Sequence, residues 1–229
     1  MASIDRHIRH LLDETDVEGL AAADIGCGTG GFVRALAVLG ADVTGIEIDA
    51  GKVAAADRQP KVGSERYREG RGEALPFPDN SLDLACFVFS LHHVPDAVRA
   101  DAIAEVGRVL KPGGRLHVVD PLPEGDMSEV LRPVEDETAV RRAAQNLVEA
   151  QDGRGYRLLK REVYAIDRWF PGVEAYLERI VMTVPERAAR AETARPEVAA
   201  RFKRLARPDG EGRFWLSQPC VMFHLQRSD

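Results

Sequence analysis

The sequence predicts an α/β fold built on a mostly parallel sheet, and three observations carry that reading. Short apolar runs alternate with amphipathic stretches through the first 120 residues. The connections between them are short, as in strand–helix–strand units. One run, Leu82–Phe89 (LDLACFVF), is almost wholly apolar, as a central parallel strand covered on both faces must be.

Taken in order, residues 5–14 form a short amphipathic helix with Ile4, Ile8, Leu11 and Leu12 on one side. Leu20–Ile25 is a buried strand running into a glycine cluster. Thr29–Leu39 places Phe32, Val33, Leu36 and Leu39 at helical spacing, and Gly40 stops that helix. Asp42–Ile48 is a second strand, Lys52–Arg58 a helix and Glu65–Glu69 a weak third strand. After the fourth strand, Asp96–Leu110 is a helix ended by Lys111-Pro112-Gly113-Gly114, and Arg115–Asp120 is the fifth strand. The second half is less regular. Ser128–Glu149 reads as helix and Glu162–Arg168 as a sixth strand. Val173–Leu205 reads as helix broken near Pro185 and Pro196, and Pro219–Gln226 is a last strand.

Bulk composition narrows the function. The 229 residues, 45% of them hydrophobic, suffice for one substantial core, and we read one domain over 1–229. No run reaches the roughly 20 apolar residues of a membrane span, and the opening MASIDRHIRHLLDETD has no signal-peptide pattern, which points to the cytoplasm. Cys27, Cys86 and Cys220 are scattered and include no C-x-x-C pair, against a disulfide framework or cysteine zinc site; Cys86 and Cys220 sit in apolar runs and read as core. The net charge of −6 argues against nucleic acid as partner. Arg187–Arg207 dissents with seven basic residues, but interleaved Glu192 and Glu197 favour a solvated helix face.

The chemical centre is Asp24-Ile25-Gly26-Cys27-Gly28-Thr29-Gly30-Gly31, between the first strand and the first helix of the sheet. Glycines there allow a tight turn and close backbone approach to a ligand, and the helix start offers unpaired N–H groups to an anionic group. Glu47 follows 21 residues after Gly26, placed to accept hydrogen bonds from a ribose diol. Gly26, Gly28 and Gly31 also satisfy the dinucleotide G-x-G-x-x-G pattern, so an NAD-dependent oxidoreductase stays open. Against it, Asp24 would repel a pyrophosphate, whereas it favours a cationic amine or sulfonium.

Asp24–Gly30 resembles motif I of the class I S-adenosylmethionine (AdoMet)-dependent methyltransferases. Gly45-Ile46-Glu47-Ile48-Asp49 resembles the family's acidic ribose loop, Glu73–Asp83 (EALPFPDNSLD) its approach to the fourth strand, and Arg108–Leu116 (RVLKPGGRL) its turn into the fifth. Together they cover about residues 20–120, in the subgroup resembling ubiquinone/menaquinone-pathway C-methyltransferases. The resemblance implies a three-layer Rossmann-like sandwich with a seven-stranded sheet in the order 3-2-1-4-5-7-6, the last strand antiparallel. It implies AdoMet as cofactor and S-adenosylhomocysteine (AdoHcy) as product. Gly26, Cys27, Gly28, Thr29 and Gly30 would hold the methionyl portion, Glu47 the ribose, and Ile48 the adenine face. Arg71, Gly72 and Glu73 border the adenine, and Val88, Phe89 and Ser90 lie below the methionyl amine. Relatives commonly carry Asp or Asn, then Ala, at Arg71-Gly72. Arginine has no acceptor for the adenine amino group, which leaves the Gly72 backbone and Glu73 to meet the ring.

Methyl transfer from a sulfonium requires mainly alignment and exclusion of water, and a base only where the acceptor loses a proton. The fourth strand runs into Ser90-Leu91-His92-His93-Val94-Pro95, lacking the Asn/Asp-Pro-Pro-aromatic run of enzymes that methylate bases and glutamines. His92 and His93 are the candidate bases. No metal site is expected. Segments 121–155 and 169–212 are read as helical insertions over the carboxyl rim of the sheet, with Trp169, Phe170, Tyr176 and Met182 lining a small-molecule acceptor site; Trp169 and Tyr176 are the substrate candidates. The leading expectation is a monomeric or homodimeric methyltransferase of a small-molecule acceptor. The alternatives are a non-catalytic AdoMet- or AdoHcy-binding protein acting through a partner, and an RNA methyltransferase using the 187–207 helix.

Overall fold

The computed structural model describes residues 2–228, with the side chains of 2–5 outside that description, so the expected place of Ile4 lies outside the described residues. Helix α1 (Ala2–Leu12) precedes strand β1 (Ala21–Ile25), helix α2 (Gly31–Val38) and strand β2 (Asp42–Glu47). Left-handed backbone at Gly28 and Gly30 keeps Thr29 in the turn, so α2 starts two residues later than its apolar spacing predicts. Helix α3 (Ala50–Asp57) is capped by Asp49, whose side chain accepts from Gly51 N–H and Lys52 N–H. Strand β3 (Arg66–Glu69), strand β4 (Leu82–Val88), helix α4 (Asp96–Val109) and strand β5 (Leu110–Pro121) complete the regular half.

Lys111-Pro112-Gly113-Gly114 is not the turn before β5 but part of it. The register jumps from Leu82↔Leu110 to Leu84↔Arg115, so this stretch bulges beside Asp83, which Lys111 Nζ meets at 2.7 Å.

Helices α5 (Asp126–Leu131) and α6 (Thr138–Glu149) replace the single expected helix. Pro133 offers no N–H to continue α5, and Asp136 accepts from Thr138 N–H at 3.0 Å where α6 begins. Strand β6 (Tyr156–Phe170) is longer than its alternating core. Helix α7 (Val173–Thr183) ends just before Pro185, as the sequence predicts, but helix α8 (Ala188–Leu205) runs through Pro196 unbroken. Buried Ala191, Val198 and Phe202 hold α8 in place, and their packing outweighs the one backbone bond that proline removes. Strand β7 (Arg207–Pro208) and strand β8 (Phe214–Arg227) close the chain's secondary structure.

The sheet order is β3-β2-β1-β4-β5-β8-β6, with β7 paired antiparallel to β8; β1–β2, β1–β4, β2–β3 and β4–β5 are parallel. This is the expected α/β class; the order departs slightly from the expected seven-stranded one, because the two-residue β7 adds an eighth strand beside β8.

By contacts the chain forms two compact units, the first Met1–Asp120, Ala143–Val163 and Val221–Asp229, the second Pro121–Arg142 and Tyr164–Cys220. The first has a core of Leu11, Val33, Leu36, Val43, Leu84 and Cys86. The second gathers Phe170, Tyr176, Phe202 and Leu216. Among the described residues no helix is long and apolar enough to cross a membrane.

Candidate functional site

In a parallel sheet the carboxyl ends of β1, β2 and β4 share one edge, and the glycine loop leaves β1 there. Gly26 (φ 76°) and Gly28 (φ 56°) turn the chain back, and Gly26 N–H and Cys27 N–H both donate to Ile46 O of β2, at 2.7 and 3.0 Å. The loop is packed from below. A Cβ on Gly26 would overlap Ser90 Cβ, and one on Gly30 would lie 2.5 Å from the Tyr67 ring. A Cβ on Gly45 would lie 2.6 Å from Cys27 Sγ. Gly28 differs: no atom lies within 4 Å of where its Cβ would stand. One side of the loop is therefore jammed against protein while the backbone at Gly28 faces open space.

Two acids frame that space. Glu47, buried at the end of β2, accepts from Gly28 N–H at 2.8 Å through Oε2 and from Asp49 N–H at 3.1 Å through Oε1. Its carboxylate is thus fixed to the loop, with lone pairs left for ligand hydroxyls. Asp24, 2% exposed near the end of β1, has an Oδ1 with no hydrogen-bond partner among the described residues. Burial, reinforced by Glu47, pushes its carboxyl up to about 8. Such a group suits a bound cation, which would restore its charge. Cys27 is no nucleophile: burial, with Asp24 and Glu47 nearby, pushes its thiol well up.

Around this centre the other expected cofactor residues fall as follows. Thr29 is exposed in the loop. Ile48 is 57% exposed directly after Glu47, an apolar side chain available to a flat ring. Gly72 packs toward Ala102, Ile25 and Phe87, while the Arg71 guanidinium lies 3.8 Å from the Glu73 carboxylate. Val88 ends β4, Phe89 adopts φ 59°, and the Ser90 hydroxyl donates to Ile25 O at 2.5 Å under the loop. The open cradle at Gly28, the orphaned buried carboxyl of Asp24 and the fixed carboxylate of Glu47 together fit a ligand with a cationic end and a hydroxyl-bearing sugar.

The structure separates the two candidate bases. His93 is exposed, whereas His92 is 5% exposed and its Nδ1 lies 2.7 Å from Asp120 Oδ1 at the carboxyl end of β5. Asp120 is 1% exposed. A carboxylate accepts from Nδ1–H, which in the neutral ring leaves the lone pair on Nε2. The sequence reading missed Asp120; the only signal was an acid closing an apolar strand. Arg99, also buried, donates to Val94 O at 2.8 and 3.1 Å and fastens the turn that carries the histidines.

The expected substrate residues divide between interior and surface. Tyr176 is 1% exposed, its ring meets Phe170 at 5.3 Å, and its hydroxyl donates to Met127 O at 2.8 Å. Tyr176 and Phe170 are core of the second unit, because their apolar area finds partners on α5 and α8. Trp169 and Met182 are exposed.

A parallel sheet whose first loop is backbone-open, floored by a buried acid and bounded by an acid on the next strand, offers room and charge for a ligand with a cationic end. Residues 23–118 match the family described as methyltransferase domain. The chain is 34% identical over 166 residues to a ubiquinone/menaquinone biosynthesis C-methyltransferase of Marinomonas sp., covering 68% of this chain and 64% of that protein. It spans less than two thirds of the length of the curated relatives it matches first. Among solved structures, an S-adenosylmethionine-dependent methyltransferase from Mesorhizobium loti aligns with TM-score 0.56 at 20% identity, over 98% of this chain and 96% of that one. The [4+2]-cyclase SpnF aligns with TM-score 0.65 at 23% identity, over 98% and 81%. Both share the fold.

Proposed function

We propose that the protein transfers the methyl group of AdoMet to a small-molecule acceptor. The observation that carries this is the open loop at Gly28 between the unpartnered Asp24 carboxyl and the loop-bound Glu47 carboxylate. Glu47 would take the ribose hydroxyls, Asp24 the cationic end, Gly26–Gly30 the methionyl part and Ile48 the adenine, with Gly72 and Glu73 at its border. When bound, AdoMet supplies a methyl group already activated on a sulfonium. The chain's own task is then to align the acceptor, exclude water and, for an acidic acceptor, remove a proton.

His92 is the base in this reading, with Asp120 a positioning residue that fixes its ring and tautomer. An acceptor hydroxyl or acidic carbon would give its proton to His92 Nε2. The quinone-pathway relative supports a small organic acceptor. The arginines of α8 lend little support to RNA. Arg195 pairs with Glu174 and Glu192, and Arg201 with Glu129 and Glu197, so their charge is largely matched within the fold. The test is calorimetric titration with AdoMet, AdoHcy and NAD, followed by turnover on a panel of quinols, phenols and carboxylic acids. AdoMet and AdoHcy binding with turnover supports the reading. Tight AdoHcy binding without turnover on any acceptor favours a non-catalytic nucleoside sensor, and NAD binding alone contradicts the reading.

A further inference from the structure

Four of the chain's six histidines, His7, His10, His117 and His224, gather around α1 in the first unit. Helix α1 is seated by Leu11 and Ile8 in the core and by the edge of the His7 ring against Phe89, with centroids 5.0 Å apart. His10 Nδ1 lies 3.2 Å from Glu162 on β6. Just beyond the helix, Thr15 Oγ1 meets His224 Nε2 at 3.0 Å, and His224 Nδ1 meets His117 Nδ1 at 3.3 Å. His117 is wholly buried, and its Nε2 has no partner among the described residues.

One pattern of protons satisfies this relay. His117 Nδ1–H donates to a bare Nδ1 of His224, His224 Nε2–H donates to Thr15 Oγ1, and His117 Nε2 keeps a lone pair. The reverse pattern would bury an N–H with no acceptor, the costlier orphan. A proton added at His117 Nε2 creates a buried cation without an acceptor. A proton added at His224 Nδ1 sets two N–H groups against each other. The relay therefore holds only while both rings are neutral.

The surroundings reinforce neutrality. Burial, then His224, His7 and His10, keep His117 well below its ordinary value. Burial, then Arg115 of β5, bring His224 down to about 4; Lys160 of β6 acts in the same direction and Glu14 against it. Glu14 is itself held by Lys160 at 2.7 Å. Glu162, which faces His10, is held by Lys160 at 3.1 Å. Folded values below the ordinary one near 6.5 mean that the seat is fully stable above about pH 6.5. It loses stability as pH falls toward 4, tenfold per pH unit for each ring.

We propose that α1 is an acid-released brace of the glycine loop, seated at neutral pH by the His117–His224–Thr15 relay and freed when a proton enters it. The route to the loop is short: His7 bears on Phe89, and the adjoining Ser90 holds Ile25 O beneath Gly26. Only the coupling to cofactor affinity rests on the AdoMet reading; the seat itself does not.

Hydrogen exchange of residues 6–15, expressed as protection factors from pH 7.5 to 5.0, reads the seat, and AdoHcy calorimetry over the same range reads the coupling. The expected result is α1 protection falling by at least about tenfold per pH unit below 6.5 while β1 and β4 stay protected, with AdoHcy affinity falling in step. His224→Gln, which keeps a donor for Thr15, should flatten the pH dependence. Thr15→Val leaves both rings in place and should lower α1 protection already at pH 7.5. Protection of α1 unchanged down to pH 5.0, or lost only together with β1 and β4, overturns the device. Release of α1 with constant AdoHcy affinity overturns its role as a brace. Failure of AdoHcy to bind at pH 7.5 counts against the cofactor reading, while the exchange data still decide the seat.

Discussion

The first unit builds its site from backbone, and the second builds its interior from paired side chains. Around Gly26–Gly30 the decisive contacts are N–H groups, carbonyls and missing Cβ atoms, with Glu47 bonded to the loop itself. In the second unit Glu137 lies buried between Arg141 and Arg187, Arg141 reaches the Ser128 hydroxyl at 2.6 Å, and Ser128 donates to Gln218 at 2.8 Å. A backbone-built site tolerates few residue types because any Cβ changes its shape. A side-chain network tolerates replacement as a set but not removal of one member.

That contrast can be broken by mutation. The largest expected effect is at Glu137→Ala, which leaves Arg141 and Arg187 buried without their shared carboxylate. We expect a loss of about 3–5 kcal/mol in chemical denaturation, and a loss below 1 kcal/mol would mean that the network is dispensable. Next is Gly26→Ala, which meets both Ser90 and a positive φ. We expect roughly 2 kcal/mol of destabilisation together with loss of AdoMet binding. Gly28→Ala is the matched case: it meets the same positive φ but open space at its Cβ, so it should cost only about 1 kcal/mol of stability yet weaken binding by intruding on the approach to the loop. Equal effects at Gly26 and Gly28 would contradict the one-sided packing of the loop.

Glu47→Ala should weaken AdoMet binding through lost charge-assisted hydrogen bonds, each about 1.5–3 kcal/mol, while unchanged affinity would place the ribose elsewhere. A separate effect is in the pH profile of Asp24→Asn. A carboxyl raised to about 8 in the folded state makes wild-type stability fullest below about pH 4 and lets it decline as pH rises toward 8. The variant, which cannot ionise, should lack that decline in denaturation midpoints measured between pH 5 and 8.

The regular half was legible because its signals are local. Glycines after β1, β-branched residues in β2 and the apolar run of β4 each report a nearby geometry. Asp24 and Glu47 were readable as acids at a given spacing, but not the bond from Gly28 N–H to Glu47, which depends on how β1 and β2 are registered. Asp120 escaped because its meaning comes from His92, 28 residues earlier in the turn that follows β4. The second unit hid more. Pro133 and Pro196 are the same residue type in helical surroundings, yet one ends a helix and the other does not; the packing of Val198 and Phe202, invisible in one dimension, decides. Tyr176 looked available for a ligand because burial by α5 and α8 leaves no local trace.

The most direct test of the central claim counts protons. AdoMet is titrated into the protein at pH 7 in buffers of different ionisation enthalpy. If Asp24 is protonated in the free site and ionises against the bound cation, saturable binding should release about one proton per AdoMet, and Asp24→Asn should release none. Absence of AdoMet binding, or binding with no proton released by the wild-type protein, would contradict the account.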